Sequence, residues 1–217
     1  SMKNTNFQEQ LILLKSRFWQ TVFNETKLEK YATSTVRQKF TEFCKQQSAL
    51  EFSEENILNL LETLFVNRKD IMYECFRKTF EKATSYHEDN TIHHEGWKTN
   101  KSAKINTKLI IPNGVTYDKV MGFRPCYHVE NFLRDMDKCL SMLSTNGSTS
   151  DDNISTYQAL HCFCQTDQDY RQKFDSKFFK IKIFKKGTVH LEFKDKKLVE
   201  EFNRIVGDGY NWIGCDK

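Results

Sequence analysis

FFKIKIFKKGTVHLEFK, residues 178–194, is the stretch whose reading decides the fold. Apolar residues alternate with polar ones on both sides of KKG, the pattern of two half-buried strands joined by a tight turn. Register is then critical, because a slip by one residue sends every side chain to the opposite face. A two-residue loop at Lys186 and Gly187 sets Phe184 opposite Val189 and Lys182 opposite Leu191, which mixes lysine into the apolar face. A three-residue loop of Lys185, Lys186 and Gly187 is a type I turn closed by a glycine in the left-handed region. It pairs Ile183 with Val189, Ile181 with Leu191 and Phe179 with Phe193, all apolar, and we adopt it. The other face then carries Phe184 with Thr188, Lys182 with His190, and Lys180 with Glu192. The last is a cross-strand ion pair worth at most about 1 kcal/mol. His190 stands beside a lysine whose charge disfavours a second one, so it is expected to be mainly neutral near physiological pH.

Working outward, 217 residues can bury one substantial core. We expect a single domain, with a helical lobe over about 6–83, an α+β part over about 84–207 and a flexible insertion at 144–155. Hydrophobic residues make up 38% and charged residues 29%, yet eighteen Phe argue for a packed interior rather than disorder. Two Pro and eight Gly leave little material for a Pro-rich linker or a Gly-rich phosphate loop, and neither GxxxxGK[ST] nor GxGxxG occurs. Apolar runs such as LFV at 64–66 and LII at 109–111 fall far short of the roughly 20 residues that span a bilayer. The start lacks a basic stretch followed by an apolar one, so the chain reads as cytoplasmic, with Ser1 as a scar before Met2.

The first half reads as helices. Phe7, Leu11, Leu14, Phe18 and Val22 recur at helical spacing, as do Val36, Phe40 and Phe43 behind a cap at Ser34 or Thr35. Ser53 caps the clearest helix, with Glu54 and Glu55 in its first turn and Ile57, Leu60, Leu61, Leu64 and Phe65 on one side. The pattern predicts helix from 54 to about 83, with a break at NRKD, 67–70. After Thr84 the period stops, and a structured loop is expected to feed a short strand or helix near 105–111. Helices are predicted again at 128–143, with Phe132, Met136, Leu140 and Leu143 on one face, at 155–165, and at 196–206 with Leu198, Phe202 and Ile205. The fold class is α+β: a mainly helical N-terminal half, then a small antiparallel sheet containing the 178–194 hairpin, packed on the 128–143 and 196–206 helices.

The net charge of +4 hides an asymmetry. Residues 98–119 hold five Lys against one Asp, and 177–197 hold eight Lys against one Glu and one Asp. Those two stretches carry +10 and leave the rest at −6. A basic region on an acidic protein attracts phosphates; the bland alternative is lysines that solvate exposed strands and blunt sheet edges. The seven Cys show no CxxC spacing and read as buried small hydrophobes rather than a disulfide framework. His87, Glu88, Asp89, His93, His94 and Glu95 offer metal-type ligands without a familiar zinc spacing, so they read as a hydrated loop and no metal or cofactor is expected.

Three stretches together resemble the bacterial and phage domain-of-unknown-function family 4942: NRKDIMYECFRKTF at 67–80, HHEGWKTNKSAKINTKLIIP at 93–112, and FFKIKIFKKGTVHLEFKDKKLVEEFNRI at 178–205. The resemblance runs from about Phe52 to Ile205. Lys98, Thr99, Asn100, Lys108, Lys185, Gly187, His190 and Phe193 match the family's recurrent residues. It implies a mobile-element or prophage setting. Some members carry the domain behind a SAM-dependent methyltransferase module, but this chain has no Gly-rich strand-to-helix turn for SAM and no NPPY-like motif.

The expected function is a nucleic-acid-binding accessory protein. Lys98, Lys101, Lys104, Lys108, Lys180, Lys182 and Lys185 would contact phosphate, with Asn100 beside them, while Trp97, Tyr86 or Phe184 would stack on an unpaired base. The alternative is a phosphodiester-directed enzyme in which His190 or His94 moves protons and Lys98 or Lys182 steadies charge on phosphate. A protein-interaction module, with a partner encoded on the same element, is the third. The first two readings need both lysine-bearing segments to share one surface around His190.

Overall fold

The computed structural model describes residues 2–25, 32–47, 51–91, 104–144, 154–166 and 169–208, with side chains described for all of these except 2–6, 8, 44, 47, 86–91 and 208. The chain divides into two compact units, Ser1–Cys75 and Phe76–Lys217.

The first unit holds α1 (Met2–Glu25), α2 (Ser34–Gln47), α3 (Glu54–Val66) and the start of α4 (Arg68–Thr91). Ser53 caps α3 as expected, its hydroxyl accepting from the Asn56 N–H at 3.3 Å. The break comes at Asn67, between α3 and α4. Among the described side chains of α1 Trp19 and Phe23 are buried, whereas Phe7, Leu14 and Phe18, predicted for the inner side, are exposed. The larger aromatic pair decides the rotation of the helix, since Phe23 stacks on Phe40 of α2 at 3.8 Å. α4 also overruns its predicted end near residue 83. No Gly or Pro stands between 68 and 91, and polar side chains alone do not stop a helix.

The second unit contains β1 (Lys108–Ile111), β2 (Val115–Asp118), β3 (Gly122–Pro125), α5 (Tyr127–Leu143), α6 (Thr156–Cys164), β4 (Phe174–Asp175), β5 (Phe179–Ile183), β6 (Val189–Phe193) and α7 (Lys196–Asp208). Four strands form an antiparallel sheet in the order β1-β6-β5-β4, and β2 with β3 forms a separate two-stranded ribbon. The class is α+β. The β5–β6 register is the three-residue-loop one: Ile183 faces Val189, Ile181 faces Leu191 and Phe179 faces Phe193. These six side chains are buried with Leu109 and Ile111 of β1, and the opposing apolar stripes are Phe132, Leu133, Met136 and Leu140 of α5 and Val199, Phe202 and Ile205 of α7. β2, β3 and the short β4 were not predicted.

Polar links fasten the edges of this core. Asn203 of α7 accepts from the Ile105 N–H at 2.7 Å and donates to the Ile105 carbonyl at 2.8 Å, which fixes the entry to β1. Asp137 of α5 accepts from both the backbone N–H and the hydroxyl of Thr156, each at 2.6 Å, and that hydroxyl meets Ser176 at 3.0 Å. Burial pushes the Asp137 carboxyl up to about 6, with the Thr156 hydrogen bonds working against it. Cys75 and Cys139 are buried as expected, but Cys162 is exposed.

The turn residue Gly187 makes a further link. It has φ +91, a Cβ placed on it would lie 2.8 Å from the Val115 carbonyl oxygen, and its own carbonyl accepts from the Val115 N–H at 3.1 Å. Gly122, at φ +71, has open space around it. Gly122→Ala should therefore cost only the left-handed penalty of about 1 kcal/mol. Gly187→Ala adds a backbone collision and should cost about 2–3 kcal/mol. Urea unfolding of the two variants beside wild type checks the order; equal midpoints would refute the close approach.

Candidate functional site

The outer face of the four-stranded sheet is built by the same register that fills the core. One row across it reads Lys108 on β1, Glu192 on β6, Lys180 on β5 and Asp175 on β4; the next reads Ile110, His190 and Lys182. Lys182 of the second lysine-bearing segment thus stands directly opposite His190, and Lys108 of the first lies one row away on β1, diagonal to it. Lys104 is exposed in the approach to β1. Lys185 sits in the β5–β6 turn, and its ammonium lies 4.8 Å from the ring centroids of both Tyr117 and Tyr170.

The ion pairs differ from expectation. Glu192 bonds Lys173 at 2.6 Å, and Lys180, directly opposite, contributes only its field. The long Lys173 side chain enters from the end of β4 and supplies the hydrogen bond. Asp175 is taken by Lys194 at 3.2 Å. Lys108, Lys180 and Lys182 make no ion pair with a described residue, so this face keeps an excess of positive charge.

His190 is half-buried, its ring 4.4 Å from that of Phe184. Its pKa is pushed down to about 4, first by burial and then by the charges of Lys108 and Lys182. The expected neutrality holds, although desolvation outweighs the lysine field that motivated it. The imidazole can accept or donate one hydrogen bond, but no described carboxylate orients it.

His93, His94, Glu95, Trp97, Lys98, Asn100 and Lys101 lie outside the described residues, while Tyr86, His87, Glu88 and Asp89 are described only as backbone of α4. Most of the flexible insertion expected at 144–155 lies outside them too. Among the described residues no group of three His, Cys, Asp or Glu side chains is placed to hold a metal ion, and no helix is long and apolar enough to cross a membrane.

Sequence reading missed the β2–β3 ribbon and the residues around it, including Tyr117, Phe123, Arg124, Tyr157 and Tyr170. A signal was present in VTYDKVMGF, residues 115–123. Asp118 accepts from the Val120 and Met121 N–H groups at 2.7 and 2.9 Å, and Gly122 takes the left-handed position that ends the turn. An Asp followed four residues later by Gly between β-forming residues is turn chemistry.

The family model described as Domain of unknown function (DUF4942) matches residues 12–212. The chain belongs to this family. Nearly all described residues of both units fall within the match, so DUF4942 covers the helical unit as well as the sheet. Neither a curated protein nor a solved structure matches the chain.

For this DUF4942 chain, the His190 environment has a consequence for pH. The folded pKa of about 4 lies below the ordinary 6.5, so between those values the unfolded chain binds a proton that the folded chain refuses. The His190 contribution therefore falls as pH drops from 6.5 towards 4. Asp137, raised from 3.8 to about 6, acts in the opposite sense. The comparison that isolates the histidine is wild type against His190→Gln. The stability advantage of wild type should shrink, or reverse, between pH 7 and pH 4.5 in urea unfolding. A difference that stays constant would mean that the imidazole titrates normally.

Proposed function

We propose that this DUF4942 chain binds nucleic acid through the outer face of its four-stranded sheet, as an accessory protein of a bacterial mobile element or prophage acting in the cytoplasm. The setting comes with the family resemblance; the chemistry rests on the residues. One observation carries it: Lys180 stands on β5 where that strand is paired on both sides, and Lys182, on the same strand, faces a half-buried histidine. Edge protection places lysines on outer strands, where open backbone groups need shielding. Lys180, between β4 and β6, has no such task, and Lys182 extends its line along β5. With Lys108 beyond β6 and Lys185 in the turn, they make a basic strip of the kind that contacts phosphates.

Binding is favoured over catalysis by His190. A histidine held neutral down to about pH 4 is a weak base and a poor proton donor at neutral pH. It suits a surface that accepts an anion, since a phosphate placed between Lys108 and Lys182 would relieve the field around the ring.

Electrostatic binding predicts a steep loss of affinity with salt. Titrating labelled single- and double-stranded DNA and RNA over a salt series should give a linear log–log plot. Lys180→Gln and Lys182→Gln should each weaken binding and reduce the slope by about 0.7–0.9. A flat salt response would sink the reading. Metal-dependent cleavage that disappears in His190→Ala while binding persists would move the function to the phosphodiester-directed enzyme.

A further inference from the structure

Beside the basic strip lies a second feature that the strip does not use. A cleft of about 820 Å³ opens between the β2–β3 ribbon, α6 and the segment carrying Tyr170. That volume is in the range that takes a small organic ligand. Phe123 is central to its aromatic wall: it pairs with Tyr117 across the ribbon at 4.8 Å and meets Tyr170 at 5.7 Å. Tyr157 lines the cleft from α6. Lys119 and Arg124 supply charge; none of the described lining residues is Asp or Glu, although Glu130 hydrogen-bonds Tyr157 at one side of the cleft. The nearest acid in the ribbon, Asp118, is committed to the Val120 and Met121 N–H groups.

Several rings with Lys119, Arg124 and Lys185 beside them favour a ligand that has both a π face and negative charge. A nucleobase attached to its phosphate has both. Lys185 joins the cleft to the strip, because its ammonium lies over two of the cleft's rings while Lys180 and Lys182 continue along β5. We infer that this cleft receives one unpaired nucleobase with its adjoining phosphate, the base against the Phe123 wall and the phosphate near Arg124 and Lys119. For a polymer ligand the inference rests on the binding reading above, and it names the class: single-stranded rather than duplex. A free nucleotide presents the same chemistry.

The test uses the full chain with three probes: an end-labelled oligothymidine, a labelled duplex of the same length, and a deoxynucleoside monophosphate as competitor. Wild type should prefer the single strand, and the monophosphate should compete. Phe123→Leu, which keeps bulk and removes the π face, and Arg124→Gln should each weaken the single strand by about 5- to 20-fold and leave duplex affinity within about twofold. Lys182→Gln should weaken both polymers. Circular dichroism melts establish that each variant is folded, and the exposed Arg124 change serves if Phe123→Leu unfolds the ribbon.

If Lys182→Gln weakens both polymers while both cleft variants match wild type, the cleft inference is overturned and the basic strip stands. If only the monophosphate binds, and Phe123→Leu weakens it, the cleft inference holds with a free nucleotide as ligand and the strip reading falls. If no probe binds, both fall. An acidic, tyrosine-containing peptide that occupies the cleft more tightly than the nucleotide probes would overturn the assignment to a base.

Discussion

The close approach of Gly187 to Val115 is the constraint on which the second unit depends. The turn between β5 and β6 is three residues long and closes on a glycine in the left-handed region, and in that register the apolar residues of both strands fall on one side. The same glycine lets the turn backbone touch the start of β2 and exchange a hydrogen bond with it. One position thus fixes the core register, sends the lysines and His190 to the outer face, and holds Lys185 against Tyr117 and Tyr170. Core and surface are two consequences of one local conformation.

The outer face is electrostatically unbalanced at a cost that can be sized. Residues two apart on a strand project about 7 Å apart, where like charges repel by about 0.6 kcal/mol in water and by about 2 kcal/mol at an effective dielectric of 20. Lys173 with Glu192 and Lys194 with Asp175 relieve part of this. Such exposed pairs contribute little to stability by themselves, so their main effect is to lower the local field. Among the described residues they leave Lys180, Lys182 and Lys108 without an ion pair, around a ring that burial already keeps neutral. A fold under no other demand would replace one of these lysines by threonine at almost no loss, since threonine suits a strand better.

The parts legible in the sequence were those decided by local rules. Alternation and turn chemistry were enough for the 178–194 hairpin, and a cap with a dense leucine stripe was enough for α3. The helix at 128–143 followed from its apolar spacing. The wrong rotation of α1 came from weighing all apolar positions alike, when the stacking of Phe23 on Phe40 outweighs the leucines. The β2–β3 ribbon was hidden for a different reason. Its strands are four residues each with only Val115 buried, so no burial alternation marks them, and only Asp118 and Gly122 betray the turn.

The outer-face site was half legible. Charge counting found the lysines, and the register placed Lys182 beside His190, but nothing local could say that β5 would be interior or that β1 would bring Lys108 to the other side of the histidine. Strand order is a long-range property, and it separates the two meanings of a lysine-rich strand. On an edge, lysine guards open backbone groups; inside a sheet, those groups are already paired, and the charge needs a counter-charge from elsewhere. Among the described residues, carboxylates supply only part of that counter-charge, which leaves this face with a net positive charge that a bound anion would offset.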